Sequence, residues 1–561
     1  MKQFSFVCAV LMTAIFFASC KSGSTGLPVP KNAAIVVHIN GSSLSKKLDW
    51  KEVQATEWFK EMHKKAVESK DSLQQKILDD PENSGIDIKN DFVFFLQPRG
   101  KGTYMVFEGN IKNKDKFEAL VNQLKEDKEI ATDGDLKYVK EGSTSTLKSW
   151  SSDKFFFVNN DGFRDDSYSS DQKTVARPDS LLKYTKGLLD LKKSDGIESD
   201  DHFSSLVKED GDIHFWMNAE QYYNLVGSAM KNSPITAMMG KINEFNKGSI
   251  STGILNFEDG KIVVKTKQYL GEEAKKLYDK YKFEPVTKDL VNRVPSDNVV
   301  AAMFVNYPPE AMKDISKALG IDGFINIFLG KIGYSLDELV QATKGQVVLS
   351  VTDFTWPSRP ATTPQDYSEP MGQPDAAILV GLSVKDKAAF DKLVGSLEGQ
   401  MKNDEEGQKM MSKIKYQVTN DWFAASNHPE AVQQFLAGGN RNLAFADKIT
   451  GHPFGMYIDV QKILKSLPSS MLESGGMSEA ATSTWQDIVF TGGDYKDGVS
   501  TAEISINFVD KNTNALKQIN QFIEKMHTAQ KNKEAEWEKR YNDHTPADSM
   551  VLPPPPPPPV K

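Results

Sequence analysis

Residues 249–266 read SISTGILNFEDGKIVVKT, and this stretch is typical of a β-hairpin. Apolar and β-branched residues flank the dipeptide Asp259-Gly260 on both sides. Asp-Gly between two strand-forming runs is a strong short-range signal for a tight turn. A second stretch, DIVFTGGDYKDGVSTAEISI at 487–506, has the same form around Asp497-Gly498. The two hairpins predict antiparallel pairing, and their likeness indicates that the chain repeats itself.

Three further pairs of segments match in the same order along the chain. The pairs are VPKNAAIVVHIN (29–40) with VPSDNVVAAMFVN (294–306), the strand and helix of 104–124 with those of 376–397, and GDIHFWMNAEQYYNLV (211–226) with PFGMYIDVQKILKSL (453–467). Four collinear matches favour a duplication with an offset of roughly 240–270 residues. A generic likeness among αβ segments is the alternative.

The predicted fold class is α+β, in two pseudo-repeated halves, each a mainly antiparallel sheet with helices packed on one face. The boundary between the halves is expected near residues 280–293, where Phe283-Glu284-Pro285 ends a helical pattern. The predicted domains are a signal peptide (1–19), a lipidated N-terminus and linker (20–28), a first αβ half (29–290), a second half that duplicates it (291–530), and a charged helix end with a Pro-rich tail (531–561).

The N-terminus has the parts of a secretory signal, with Lys2 near the start and an apolar run from Phe4 to Phe17. Phe17-Ala18-Ser19-Cys20 resembles a bacterial lipobox, in which the cysteine becomes the first mature residue and carries acyl chains. Cys8 would leave with the signal, so Cys20 would be the only cysteine of the mature chain. Lipidation of Cys20 is therefore predicted, and an ordinary cleaved signal with a stray cysteine is the alternative.

Composition limits the classes of partner. Hydrophobic residues make up 39% and charged residues 26% of the 561 residues, which is typical of a globular protein. The net charge is -8 and no basic patch stands out, so nucleic acid is not an expected partner. The expected partners are a membrane, reached through N-terminal acyl chains, and an envelope protein or glycan.

One family resembles this sequence. VPKNAAIVVHIN at 29–40, followed by a helix soon after a lipobox, resembles a Bacteroidota lipoprotein family known as domain of unknown function 4836. The resemblance implies an envelope lipoprotein of a Gram-negative cell and carries over no catalytic residue. Surface-exported lipoproteins of such bacteria often have an acidic run after the cysteine, and residues 21–26 contain no Asp or Glu. The resemblance therefore implies an outer-membrane lipoprotein that faces the periplasm.

A long insertion departs from the repeat. The loop TWPSRPATTPQDYSEPMGQPD at 355–375 stands where the first half has only PRGKG at 98–102. Long loops in compact domains are usually functional or disordered. Prolines lower the entropy lost on binding, and aromatic side chains suit interfaces. Trp356, Tyr367 and Met371 are the candidate partner-binding residues, and a disordered decoration is the alternative.

No motif identifies catalytic chemistry. The eight histidines show no metal-ligand spacing, and there is no GxSxG, Walker loop or dinucleotide-binding motif. Ser43-Leu44-Ser45-Lys46 fits SxxK, but this pattern is short and the companion elements of penicillin-binding enzymes are absent. No catalytic residue, metal ligand or cofactor is predicted.

Two classes of function remain open. The leading expectation is a lipid-anchored envelope protein that acts as a non-enzymatic binding or structural module. The alternative is a periplasmic hydrolase whose active site is assembled from residues far apart in sequence.

Overall fold

The structure, a computed structural model, has one large antiparallel sheet in an α+β fold. It describes residues 26–68, 72–99, 102–124, 128–140, 145–160, 178–229, 235–356, 374–403, 405–439, 441–467 and 475–543. Within these residues the sheet contains eighteen strands, and every strand pair is antiparallel. The predicted α+β class with antiparallel pairing is confirmed.

The strands are β1 (Ile35–Ile39), β2 (Phe92–Arg99), β3 (Gly102–Asn110), β4 (Glu129–Asp133), β5 (Leu136–Lys140), β6 (Thr146–Trp150), β7 (Lys154–Asn159), β8 (Ile213–Asn218), β9 (Ile250–Glu258), β10 (Lys261–Tyr269), β11 (Val299–Asn306), β12 (Thr343–Thr355), β13 (Asp375–Val384), β14 (Lys415–Val418), β15 (Trp422–Ser426), β16 (Phe454–Asp459), β17 (Trp485–Lys496) and β18 (Val499–Phe508).

The α-helices are α1 (Gly41–Lys47), α2 (Trp50–Gln54), α3 (Glu57–Glu68), α4 (Ser72–Asp79), α5 (Lys114–Leu124), α6 (Pro178–Leu189), α7 (Asp201–Leu206), α8 (Ala219–Ala229), α9 (Ile235–Phe245), α10 (Glu272–Asp279), α11 (Lys288–Val291), α12 (Pro309–Leu319), α13 (Asp322–Lys331), α14 (Leu336–Ala342), α15 (Lys387–Met401), α16 (Glu405–Lys413), α17 (Pro429–Ala437), α18 (Ala446–Ile449), α19 (Val460–Ser466), α20 (Gly475–Thr482) and α21 (Ala515–Asp543).

The two Asp-Gly hairpins lie side by side at the centre of the sheet. From one edge to the centre the order is β4, β5, β6, β7, β3, β2, β1, β8, β9 and β10. From the centre to the other edge it is β18, β17, β16, β11, β12, β13, β15 and β14. The predicted hairpins at 249–266 and 487–506 are confirmed, and their pairing makes one continuous sheet where two were expected.

The pairing of β10 with β18 is symmetric about its midpoint. Lys265 lies opposite Glu503, and the register runs from Lys261 opposite Asn507 to Tyr269 opposite Val499. The flanking backbone hydrogen bonds match as well, because Leu270 N donates to Gly498 O and Phe508 N donates to Gly260 O at 2.8 and 2.9 Å. The equivalent ends of the two hairpins therefore make the same contacts with each other.

Helices cover both faces of the sheet in the first half, where helices on one face were expected. Phe92 packs with α1, α2 and α3 residues such as Leu44, whereas its neighbour Val93 packs with α6 and α7 residues such as Leu181. Successive residues of a strand point to opposite faces, so each face has its own core. The expectation of one covered face is wrong because near-continuous apolar strands such as β2 bury both sides.

Each half also sends a helical segment onto the other half. The long helix α21 packs against α3, where His527 and Lys531 contact the Glu61 carboxylate at 3.0 and 2.8 Å. Just after α10, Lys280 and Tyr281 reach Asp314 of α12 at 2.5 Å. These reciprocal contacts tie residues 29–290 to residues 291–530 outside the sheet.

Candidate functional site

Two buried histidines of the first half face each other across neighbouring strands. His38 in β1 and His214 in β8 are directly paired residues of the antiparallel ladder. Directly opposed side chains lie on the same face of a sheet. The rings stack with centroids 5.1 Å apart, and the two Nδ1 atoms are 3.0 Å apart. The two histidines are 176 residues apart in the chain, and only the strand register brings them together.

Hydrogen-bond partners fix where the protons of this pair lie. His214 Nε2 is 3.2 Å from the carbonyl oxygen of Glu209, which can only accept, so this nitrogen carries a hydrogen. A neutral His214 then presents a bare Nδ1, and His38 Nδ1 must donate to it. Asp91 Oδ2 lies 3.1 Å from His38 Nε2, although out of line for a hydrogen bond.

A second proton on His214 is unfavourable in the fold. Burial, followed by the neighbouring His38, lowers the pKa of His214 to about 4. The geometry also favours a lowered pKa of His214, because a protonated His214 would turn its Nδ1–H toward the Nδ1–H of His38. The pair therefore holds at neutral pH and loses its central hydrogen bond in acid.

Glu108 in β3 continues this row of side chains. His38 pairs with Val93, and Val93 pairs with Glu108, so all three lie on one face. Glu108 is 0% exposed, and neither carboxyl oxygen has a hydrogen-bond partner among the described residues. Burial raises the pKa of the Glu108 carboxyl well above its ordinary value, and Lys154 offsets this only in part. We call His214, His38 and Glu108, with Asp91 beside them, the polar row.

Ser43 makes different contacts from those of an SxxK pair. Its Oγ donates to Asp212 Oδ1 at 2.5 Å, and Lys47, rather than Lys46, reaches Asp212 Oδ2 at 2.6 Å. The backbone N–H of Phe257 donates to the same oxygen at 2.6 Å. This buried carboxylate is saturated by a cation and two donors, so it does not act as a base toward Ser43.

A first cleft opens between strand β2 and helix α6, with a volume of about 520 Å³. Its lining residues are Pro30, Lys31, Asn32, Gln97, Arg99, Lys183, Tyr184, Gly187, Leu188, Leu191 and Asp195. The Arg99 guanidinium carbon lies 5.7 Å from the ring centre of Tyr184 and 5.9 Å from that of Tyr104. The two tyrosine rings are themselves stacked 4.0 Å apart.

A chain of polar contacts supports one wall of the first cleft. The Tyr184 hydroxyl donates to Gln97 Oε1 at 2.5 Å, and Gln97 Nε2 donates to Asn32 Oδ1 at 2.6 Å. Burial and the nearby Glu108 raise the pKa of Tyr184, which keeps its hydroxyl protonated as a donor. Asn32 is exposed and lines the cleft, and its oxygen already accepts from Gln97.

A second cleft of about 550 Å³ lies beside the β17–β18 hairpin. Its lining includes Phe283, Pro285, Asp494, Tyr495 and Thr501. His452 stands between two further lining residues, and its Nδ1 is 2.6 Å from Asp494 Oδ2. A carboxylate at one ring nitrogen orients an imidazole and leaves the other nitrogen for a ligand or a proton.

Only one of the residues predicted for the site can be located. Trp356 is half-buried at the end of β12, and its ring meets Phe354 edge-on at 6.2 Å. Its indole Nε1 is buried without a hydrogen-bond partner. Tyr367, Met371 and Cys20 lie outside the described residues. Lipidation and partner binding at these residues stay predictions.

Sequence reasoning missed Arg99 and Tyr184, which are far apart in the chain and meet only in the fold. The one available signal was Gln97-Pro98-Arg99, a polar end on an otherwise apolar strand. Among the described residues, no group of three or more His, Cys, Asp or Glu side chains could hold a metal ion. In the same part of the chain, no helix is both long and apolar enough to cross a bilayer.

Residues 28–374 match the model of a protein family described as a domain of unknown function (DUF4836). The chain belongs to this family. The DUF4836 match covers the polar row and the first cleft, whereas the second cleft is mostly lined by residues beyond it. No curated protein and no solved structure matches the chain.

Proposed function

We propose that this DUF4836 protein is a lipid-anchored binding module of the cell envelope that takes its ligand in the first cleft. The observation that carries this proposal is the cleft itself, because exposed donors surround a floor of apolar and aromatic side chains. Ligand sites are typically concave and mostly apolar, with a few polar groups that fix orientation. The volume of about 520 Å³ falls within the usual range of such sites.

The location follows from the N-terminus. Cys20 carries the acyl chains after removal of residues 1–19, and the short segment up to Gly26 links the anchor to the folded body. Several acyl chains give firm anchoring where a single chain gives only marginal binding. The protein sits in the outer membrane of a Gram-negative cell and faces the periplasm, as the uncharged stretch from Ser22 to Gly26 favours.

The two halves arose by duplication of one αβ unit. The repeated strand order supports this, as does the symmetric pairing of the two Asp-Gly hairpins around Lys265 and Glu503. The insertion at 355–375 then adds a second contact region to the later copy. Within it, Trp356, Tyr367 and Met371 contact an envelope protein or glycan.

Hydrolysis in the second cleft is the alternative. The observation that favours it is the contact of His452 with Asp494, a lining residue of this cleft that pairs with the lining residue Thr501 in the β17–β18 hairpin. If this site hydrolyses envelope material, purified protein releases product from peptidoglycan fragments, and His452→Gln abolishes the release. A His428→Gln variant, changed at a partly exposed histidine outside this cleft, keeps it.

Metabolic labelling with an alkyne fatty acid tests the anchor. Wild-type protein and Cys8→Ala should both carry the label and fractionate with membranes, because Cys8 leaves with the signal. Cys20→Ala should lose the label and appear in the soluble envelope fraction. A Cys20→Ala protein that stays labelled and membrane-bound contradicts the anchor.

A further inference from the structure

We propose that the first cleft binds the anionic group of a small acidic ligand, one that carries a carboxylate or a phosphate. This inference rests on the proposed binding function and names the chemistry of its ligand. Three cationic side chains line the cleft, namely Lys31, Arg99 and Lys183, against one carboxylate, Asp195. That carboxylate is already shared with Lys31, which lies 3.7 Å from it.

The two remaining cations are not committed to acidic partners. Within the described residues, neither Arg99 nor the exposed Lys183 makes an ion pair. The Arg99 guanidinium carbon lies 5.7 and 5.9 Å from the ring centres of Tyr184 and Tyr104, beside the stack that these two rings form. A guanidinium matches carboxylate and phosphate oxygens through two parallel hydrogen bonds, which makes Arg99 the natural anion-binding group of the cleft.

The neutral groups of the cleft favour the same ligand. The buried relay from Tyr184 through Gln97 to Asn32 runs in one direction, with each group donating to the next. Its last member, Asn32, is an exposed lining residue of the cleft, and its amide N–H groups are donors. A wall of donors recognises a ligand that is rich in acceptors, and it leaves an uncharged donor-rich ligand without partners.

The apolar lining limits the size of the ligand. Pro30, Leu188 and Leu191 form the rest of the wall, so the anionic group meets the polar side and a compact apolar or sugar-like body meets the other. A volume of about 520 Å³ accommodates a molecule of disaccharide size and no folded partner. The ligand is therefore a small acidic molecule or the acidic end of a longer chain.

Calorimetry on the full chain purified in mild detergent tests this assignment. The probes are digalacturonate for the carboxylate source, glycerol phosphate for the phosphate source, and maltose as the neutral control. At least one acidic probe should bind, maltose should not, and affinity should fall as salt is raised. The acidic probe that binds identifies the source of the anion.

Three variants and one control make the test specific. Arg99→Gln and Lys183→Gln should each weaken binding roughly ten- to a hundredfold, as expected for loss of a charged hydrogen bond. Asn32→Asp, which keeps the shape but replaces the amide donors by a carboxylate, should weaken it at least about tenfold. Lys46→Gln, an exposed lysine of α1 outside the cleft, should bind like the wild type.

Two results overturn the assignment. One is that neither acidic probe binds at about 10 mM. The other is that Arg99→Gln binds an acidic probe as well as the wild type does. The labelling of Cys20 is independent of both, so an anchored protein that binds neither acidic probe disproves the ligand class alone. A protein that binds acid without a lipid anchor disproves the location alone.

Discussion

One row of directly paired residues crosses the sheet from Glu108 in the first half to Gly381 in the second. On one side of the central pair Lys265 and Glu503 it reads Ile254, His214, His38, Val93 and Glu108. On the other side it reads Thr491, Gly455, Phe304, Val348 and Gly381. The row therefore contains three titratable side chains on the first side, His214, His38 and Glu108, whereas Gly455, Phe304 and Gly381 lie equally far from the central pair on the other side.

In the second half, apolar side chains fill the space around the row. A Cβ on Gly381 would lie 2.3 Å from the ring of Phe435, and one on Gly455 would lie 2.8 Å from Ile449. Phe304 and His38 are each the third residue of the row counted from the central pair, and Phe304 is completely buried. An apolar core packs without desolvating any charge, so the strand arrangement does not need the polar row for stability.

The polar row of the first half therefore has an energetic cost. A buried carboxyl without a hydrogen bond and a buried imidazole pair both destabilise a fold relative to well-packed apolar residues. These costly residues lie in the same half as the donor-rich first cleft.

The largest expected effect comes from moving the carboxyl into the second half. Gly381→Glu forces a side chain into Phe435 and buries a carboxyl with no space around it. Overpacking and an unpaired polar group together should remove more than about 4 kcal/mol of stability, measured by urea unfolding or by loss of soluble protein.

Gly399→Glu is the matched control for that substitution. Gly399 lies in α15, and a Cβ there would meet nothing within 4 Å. The variant should keep or slightly raise stability, because glutamate favours a helix more than glycine does. Equal stability of Gly381→Glu and Gly399→Glu would mean that the two halves do not differ in packing as described.

The second effect removes the carboxyl from the first half. Glu108 has a raised pKa in the fold, so its proton is held there and lost from the unfolded chain above about pH 4.5. Wild-type stability should therefore fall as pH rises, by up to about 1.4 kcal/mol for each pH unit between the two pKa values. Glu108→Met, similar in volume and uncharged, should lose this slope and gain over the wild type from pH 5 to pH 8.

Urea unfolding across this pH range separates Glu108 from the surface. Glu129→Met changes an exposed carboxylate of β4 and should follow the wild-type slope. Parallel curves for wild type and Glu108→Met would show that Glu108 is ionised in the fold.

Particular residues show what the sequence could and could not supply. The Asp-Gly turns are predicted from the sequence, and the structure also shows the helix caps Asn218 and Asp459, which accept backbone N–H groups at 3.1 and 2.8 Å. These features depend on neighbours in sequence, where propensity acts directly. The meeting of the two hairpins depends on register between strands more than two hundred residues apart, which alternation of residues does not encode.

The candidate site shows the same limit. His38 and His214 were recognised as strand residues, yet their contact needs β1 beside β8 in a register that opposes them. Arg99 and Tyr184 come from a strand and a helix whose packing sets the first cleft. Sequence could identify the elements, whereas the site depends on which elements become neighbours.

The third effect exchanges the histidine pair for the residues of the second half. Asp91→Gln, His38→Phe and His214→Gly together copy Gln346, Phe304 and Gly455. The pKa of His214 is lowered to about 4, so the contribution of this histidine to stability is full above about pH 6.5 and is lost as the pH drops toward 4. The loss amounts to about 3 kcal/mol, and the triple variant should lose that much less between pH 7 and pH 4.

Thermal or urea unfolding at several pH values measures this difference. His428→Gln, at a histidine of the second half whose side chain is 41% exposed, should keep the wild-type acid dependence. If the triple variant is as acid-sensitive as the wild type, the histidine pair does not control stability in acid. The difference between the two halves at these positions then has no effect on acid stability.

The smallest effect lies where the two halves meet. Lys265 and Glu503 are 3.8 Å apart with side chains 64% and 43% exposed, so their attraction is screened by water and salt. Lys265→Ala and Glu503→Ala should each change stability by about 0.5 kcal/mol or less. The charge exchange Lys265→Glu with Glu503→Lys should be nearly neutral, because symmetric pairing puts both positions in the same environment. A large cost of the exchange, alongside small costs of the alanine variants, would show that the two positions are not equivalent and would weaken the proposed duplication.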